Sequence, residues 1–232
     1  HLVIPRTNAL STGLMESDLK AVIGPHIFGV TVGKISSTED ISKISNIIEK
    51  LEKGAGLPTN KIKLIPWLET AKGIVNAYEI CLNPPRVIAA AFGAEDLTND
   101  MGIERTRHGS ELSYAKNAVC LAARAANILP LDTPFPFLHD PIGLRDDSLQ
   151  AKAIGFGGKF AIHPSQIDTI NEAFIATQTE IEQAQRIVEA YKVAEKSGHA
   201  TTSLDGIMID VPVVNRAKRL IEQASISMEI QR

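Results

Sequence analysis

Short, unbroken apolar runs alternate with longer stretches of helical periodicity through most of this chain. The runs are Leu2–Pro5, Gly29–Val32, Ile62–Leu68, Val87–Phe92, Ile128–Leu131 and Lys159–Ile162. They do not alternate apolar with polar positions, so they read as strands buried on both faces. The clearest helix follows Ser36. There Ser36-Ser37-Thr38-Glu39 can supply a capping box, Ile41, Ile44, Ile48 and Leu51 form one stripe, and Gly54 stops it. A second helix is expected from Ser110 to Asn127, with Leu112, Ala115, Val119 and Ala122 on one face, and a third from Ser165 to Phe174. A longer one opens at Thr179-Glu180 and ends near Gly198.

Repeated strand–helix units predict a parallel sheet, either open and doubly wound or closed as a (β/α)₈ barrel. Polar residues follow the strand ends again and again: Arg6 and Asn8, Lys34, Glu69, Asp96, Asp132 and His163. A barrel gathers all strand ends on one face, whereas an open sheet offers a single crevice. The pattern therefore favours an α/β fold of the TIM (β/α)₈ type. Six strand candidates cover strands three to eight, and two further units are expected upstream of His1. Residues 1–197 are assigned to the barrel and 198–232 to a C-terminal lid loop and basic helix.

Composition narrows the class. The 232 residues are 44% hydrophobic and 22% charged, with a formal net charge of -3. That balance fits a globular domain and gives no sign of nucleic-acid or membrane-surface binding. Cys81 and Cys120 are far apart, so neither a disulfide framework nor a zinc knot is expected, and an intracellular setting, cytoplasmic or mitochondrial, is the expectation.

Two acids carry the candidate chemistry. Glu69 closes the run from Ile62 and Asp96 follows the run from Val87. On consecutive parallel strands about 4.8 Å apart, their carboxylates can converge on one ion. An all-oxygen site with few protein ligands suits Mg²⁺. The plain alternative is that both acids are only solvated, with Thr70 capping the next helix. Gly29-Val30-Thr31-Val32-Gly33-Lys34-Ile35 has the wrong spacing for a phosphate loop, and Gly155-Phe156-Gly157-Gly158-Lys159 precedes a strand, which excludes a dinucleotide fingerprint.

An ordered set of motifs resembles the HpcH/HpaI aldolase and citrate lyase β-subunit-like family. The set is Pro5-Arg6-Thr7-Asn8, Gly33-Lys34-Ile35, Pro66-Trp67-Leu68-Glu69-Thr70-Ala71-Lys72-Gly73, Phe92-Gly93-Ala94-Glu95-Asp96-Leu97 with Asp100-Met101-Gly102, Glu111-Leu112-Ser113-Tyr114-Ala115, Leu131-Asp132-Thr133-Pro134, Gly155 to Gln166, and Asp205-Gly206-Ile207-Met208-Ile209-Asp210. The resemblance implies a TIM barrel that binds Mg²⁺ and makes or breaks a carbon–carbon bond beside a thioester, with CoA as part of the substrate. Glu69 and Asp96 fall on its metal-ligand positions and Arg6 on its substrate-contacting arginine. Asp210 falls on an acid that serves a neighbouring subunit's site in citramalyl-CoA and malyl-CoA lyase-like members, which are usually trimers. Lys34 and Asp132 are expected at the substrate, with Asp132 positioning Arg6 or binding water. Two features depart from the family. Its first two strands, with a further arginine and an acidic cluster, are not in this chain, and Gly33 stands where proline is common.

The activity so implied is cleavage of a β-hydroxyacyl-CoA thioester to an acyl-CoA and a 2-keto acid, with Asp210 and Arg6 as catalytic residues. Three alternatives stay open: a citryl thioester lyase subunit acting on an acyl carrier, a class II 2-keto-acid aldolase, and a catalytically silent barrel scaffold. Asp210 also precedes Val211-Pro212 and a helix, as an N-cap should.

Overall fold

A computed structural model describes residues 2–82 and 85–230, the side chains of 227–230 excepted. In chain order the elements are β1 (Arg6–Thr7), α1 (Met15–Val22), β2 (Gly29–Val32), α2 (Thr38–Gly54), β3 (Lys63–Leu68), α3 (Ala71–Val75), α4 (Ala77–Cys81), β4 (Ala89–Phe92), α5 (Ala94–Met101), α6 (Ser113–Ala125), β5 (Leu129–Asp132), α7 (Pro141–Ile154), β6 (Gly158–Lys159), α8 (Ile167–Phe174), α9 (Gln178–Lys196), β7 (Thr202–Leu204), β8 (Ile207–Ile209) and α10 (Val211–Ile230).

Strands β1 to β6 form one sheet in strict sequence order, every neighbouring pair parallel. A doubly wound sheet reverses its order at a switch point. No reversal occurs here, so the sheet is an arc of a (β/α)₈ barrel. Alternate residues of a strand share a face. Ile65 and Trp67 of β3 and Ala89 and Ala91 of β4 accordingly form one buried cluster, with Leu131 and Phe160 packed on it. The other face takes helices. On α2 the stripe Ile41, Ile44 and Ile48 is fully buried. Its capping box lies one residue later than Ser36 predicts: Ser37 and Asp40 exchange the two bonds.

Two strands are shifted from their expected positions. The parallel ladder starts at Arg6↔Thr31, not at Leu2, and Leu2 and Val3 are 67% and 50% exposed. An apolar run without a second layer to bury it does not make a strand. At the other edge the pairing covers only Leu131↔Gly158 and Asp132↔Lys159, so β6 begins one residue early and ends before Ile162.

The chain divides into two compact units, 1–170 and 171–232. In the second unit α9 packs mainly on α10. The stretch expected as a loop there is an antiparallel hairpin, β7 on β8, turned by Asp205 and Gly206 with φ of 52° and 79°. Positive φ at both central residues is the geometry an Asp-Gly hairpin turn favours. Among the described residues no helix is long and apolar enough to cross a membrane.

Candidate active site

The site is built where β3 and β4 end. Glu69 is the first residue past β3, and Thr70 then caps α3 by accepting the Gly73 N–H at 3.0 Å. The Glu69 side chain is only 3% exposed. Two glycines, each the first residue past a flanking strand, make room for it. A Cβ at Gly33 would lie 2.6 Å from Glu69 Oε1, and one at Gly93 would lie 2.5 Å from Glu69 Cβ and Oε2. Gly33, a departure from the family pattern, is thus matched to the carboxylate that needs its space.

The two carboxylate oxygens have different surroundings. Oε1 accepts the Lys34 backbone N–H at 2.8 Å and lies 3.8 Å from Arg6 Nη2. Oε2 has no hydrogen-bond partner among the described residues. Burial pushes the Glu69 carboxyl above its ordinary value, and the charge of Asp96 adds to this, while Arg6 and Lys34 oppose it. Lys34 links the two acids, its N–H at Glu69 Oε1 and its ammonium at Asp96 Oδ1.

Arg6 lies with its guanidinium 4.5 Å over the Trp67 ring, a cation–π placement. That ring is held in turn, because its indole N–H donates to Thr31 Oγ1 at 2.6 Å and Thr31 donates to the Ile65 carbonyl at 2.8 Å. Glu69 and Trp67 therefore position Arg6, and Asp132 does not touch it. Asp96 stands in the first turn of α5, with Lys34 Nζ 3.1 Å from its Oδ1. The hydrogen bond and charge of Asp96 push the Lys34 ammonium above the ordinary lysine value.

Two supports escaped the sequence reading. Thr133 Oγ1 accepts the Ala94 N–H at 3.1 Å and so fixes the start of α5. Asp100 Oδ2 accepts the Ala71 N–H at 2.8 Å, tying α5 to the turn that carries Glu69. The available signal was spacing: Asp100 is four residues after Asp96, on the same helix face. Residues that orient ligands typically contribute 10–100-fold in metal affinity. With Mg²⁺ as the ion expected at Glu69 and Asp96, Asp100→Ala should weaken its binding about tenfold in a calorimetric titration. Asp100→Asn should bind nearly as the wild type does, because an amide oxygen can accept the same N–H. Equal affinity in the alanine variant would remove this role.

Asp132 lies deeper than the other candidate residues. It is fully buried, and its Oδ2 is held by Lys159 Nζ at 2.7 Å and Lys116 Nζ at 3.2 Å. The same two ammonium groups hold Asp147 at 2.5 and 3.2 Å. Two acids and two bases neutralise one another and fasten β5 and β6 to α6 and α7. Asp132 thus joins these elements through Oδ2, while its buried Oδ1 has no hydrogen-bond partner among the described residues. Asp210, in the second unit, accepts the Val213 N–H at 3.2 Å and caps α10. His163 also caps, its Nδ1 accepting the Ser165 N–H at 3.2 Å.

This geometry can be set beside known proteins. The family model described as HpcH/HpaI aldolase/citrate lyase matches residues 2–164. The citrate lyase subunit beta of Leuconostoc mesenteroides subsp. cremoris is 35% identical over 223 residues, which cover 96% of this chain and 74% of that protein. The chain belongs to the HpcH/HpaI aldolase/citrate lyase family. The mitochondrial citramalyl-CoA lyase of Rattus norvegicus is 28% identical over 230 residues, covering 95% of this chain and 68% of that one. The CitE protein of Mycobacterium tuberculosis, solved with magnesium, acetoacetate and coenzyme A, superposes with a TM-score of 0.79 at 26% identity, covering 96% of this chain and 78% of that chain. This member of the family is accordingly an enzyme of the lyase and aldolase class.

The residues present fit a magnesium ion. Among the described residues no group of three or more acids, histidines or cysteines that could hold a metal forms, so an ion here would draw on the two carboxylates of Glu69 and Asp96. Mg²⁺ is commonly held this way, by one or two carboxylates with water and substrate oxygens as its other ligands. The partnerless Glu69 Oε2, walled by glycine, is a donor aimed at such a cation.

Proposed function

We propose that this protein is a Mg²⁺-dependent carbon–carbon lyase acting on a β-hydroxyacyl-CoA thioester of the citramalyl-CoA or malyl-CoA kind, releasing an acyl-CoA and a 2-keto acid. The observation that carries this reading is the joining of two acids through one lysine: buried Glu69, just past β3, accepts the Lys34 N–H, and Asp96, in the first turn of the helix after β4, holds the Lys34 ammonium, with Arg6 beside Glu69. A magnesium ion held by Glu69 and Asp96 would supply Lewis acidity and fix the substrate's oxygens.

Cleavage requires three movements of charge. The hydroxyl proton leaves to a base, the carbon–carbon bond breaks as a ketone forms, and the electron pair passes to the thioester as an enolate. Protonation of the enolate carbon completes the acyl-CoA. Arg6, its guanidinium 4.5 Å over the Trp67 ring, presents a positive charge to developing negative oxygen. Asp210 is proposed as the proton-transfer group, serving the site of a neighbouring subunit in a homotrimer. Ile207 and Met208, at 65% and 64% exposure, support a covering contact for this hairpin.

Asparagine caps a helix about as well as aspartate but cannot take a proton. Asp210→Asn is expected to keep the wild-type melting temperature while kcat falls on the order of 10²-fold. Co-assembly of Asp210→Asn with Glu69→Gln subunits should restore part of the activity, because some sites would then combine two intact halves. A normal kcat in Asp210→Asn would leave Asp210 a cap alone.

The 35% identity to a citrate lyase subunit beta favours a second reading, a citryl thioester carried on an acyl carrier protein. The two are separated by turnover of purified protein on citramalyl-CoA and malyl-CoA without any carrier. Release of pyruvate or glyoxylate supports the first reading. Activity only with a carrier-bound thioester supports the second.

A further inference from the structure

Lys34 touches both proposed metal ligands, and it does so through two different groups. Its backbone N–H donates to Glu69 Oε1 at 2.8 Å, and its ammonium lies 3.1 Å from Asp96 Oδ1. To do both it adopts a left-handed backbone conformation, φ 58°. A non-glycine residue is held there only where its surroundings compensate the strain, and such residues cluster at ligand sites and switches. The backbone contact is enclosed, but the side-chain contact is not: the lysine side chain is 51% exposed and that of Asp96 36%. The ammonium can therefore leave Asp96 while the Glu69 contact stays in place. A divalent cation that takes Asp96 as ligand meets this ammonium at the same carboxylate.

We propose that Lys34 is a place-holding cation. Its ammonium neutralises Asp96 while the metal is away, and metal binding releases it to receive an anionic group of the substrate. The inference rests on the reading of Glu69 and Asp96 as metal ligands and deepens it, because it makes the metal and the substrate anion bind in a coupled order. An exposed ion pair of this kind is a weak competitor, so the expected effect on the metal is modest.

The test is a calorimetric Mg²⁺ titration of the full chain as wild type, Lys34→Gln, Lys34→Arg and Glu69→Gln, with steady-state kinetics on the CoA thioester beside it. Lys34→Gln should bind Mg²⁺ about three- to fivefold more tightly, since no ammonium then holds Asp96. The same variant should raise KM for the thioester roughly tenfold with a smaller change in kcat, as loss of uniform substrate binding does. Lys34→Arg should restore both values toward the wild type. Normal wild-type binding with an unchanged or weaker constant in Lys34→Gln overturns the proposal alone, as does tighter binding with an unchanged KM. Wild-type binding that survives Glu69→Gln, or no binding at all, overturns the metal reading and the proposal with it.

Discussion

Replacing Glu69 by glutamine should lower kcat/KM for the CoA thioester by about 10³-fold or more, while leaving the fold intact. The loss follows from the asymmetry of the carboxylate. Oε1 accepts from Lys34 N–H, whereas Oε2 has no partner among the described residues and faces the clearing beside Gly93. A glutamine keeps the Lys34 bond only with its carbonyl oxygen on that side. Its NH₂ group then stands where the free oxygen was, and a hydrogen-bond donor cannot hold a cation. A Lewis acid contributes several kcal/mol to such a reaction, and each 1.36 kcal/mol is tenfold in rate. Stability without metal should move the other way. Burial and Asp96 push the Glu69 carboxyl up, so the ionised form is disfavoured in the fold and a neutral isostere relieves that cost. In chelator the variant should melt at or above the wild-type temperature. Added Mg²⁺ should raise the melting temperature of the wild type only. Turnover that stays magnesium-dependent in Glu69→Gln would end the assignment.

The residues of this site differ in how far the sequence exposes them. Glu69 and Asp96 stand out because each ends an apolar run, and a carboxylate at the mouth of a buried strand has few structural reasons to be there. Asp132 ends an apolar run in the same way, yet it is a buried scaffold ion. What separates the cases is the pair of lysines on it, Lys116 and Lys159, whose convergence depends on tertiary packing and leaves no local mark. The contacts of Asp100 and Thr133 are hidden for a related reason: both accept from backbone N–H groups, and backbone partners carry no residue identity, so spacing and motif mark the residues but not what they hold. Gly33 illustrates the reverse. As a departure from the family pattern it reads as a loss, and only the position of Glu69 Oε1 shows that a side chain there would collide.

The barrel order was legible because it needs only the succession of buried strands and helices. Its edges were not, since Leu2 and Val3 carry the composition of a strand but lack a covering layer. The hairpin β7–β8 was within reach: Leu204-Asp205-Gly206-Ile207 places an Asp-Gly turn between apolar residues. Its strands are only three residues each and mostly exposed, which leaves almost no apolar run to read.

The largest effect on stability is expected at the opposite end of the same two strands. Glu52, near the end of α2, is 1% exposed and accepts the N–H groups of Ile62 at 2.7 Å and Asn60 at 3.2 Å, just before β3 begins. Arg86, which precedes β4, clamps both Glu52 oxygens at 2.9 Å and donates to the Ile62 carbonyl at 2.6 Å. One buried pair thus joins α2 to the starts of β3 and β4. The starts of the two strands are tied there, at the end opposite the turns that lead to Glu69 and Asp96. Removing one partner of a buried pair costs about 3–5 kcal/mol, since the other charge is left unpaired away from water. Arg86→Met should therefore lower the melting temperature by roughly 6–20 °C in a domain of this size. The double variant Glu52→Leu with Arg86→Met should recover much of that loss, because no uncompensated charge remains. The pair also predicts an acid limb. Burial alone would raise the Glu52 carboxyl, but Arg86 and the Ile62 and Asn60 N–H groups outweigh it and hold it below 4.5. A depressed carboxylate stabilises the fold fully above its unfolded value, and this stabilisation is lost as pH falls through the folded value. Wild-type stability should decline below about pH 4.5 with a component that is absent in the double variant. Equal melting temperatures for wild type and Arg86→Met would show that the strand starts are held elsewhere.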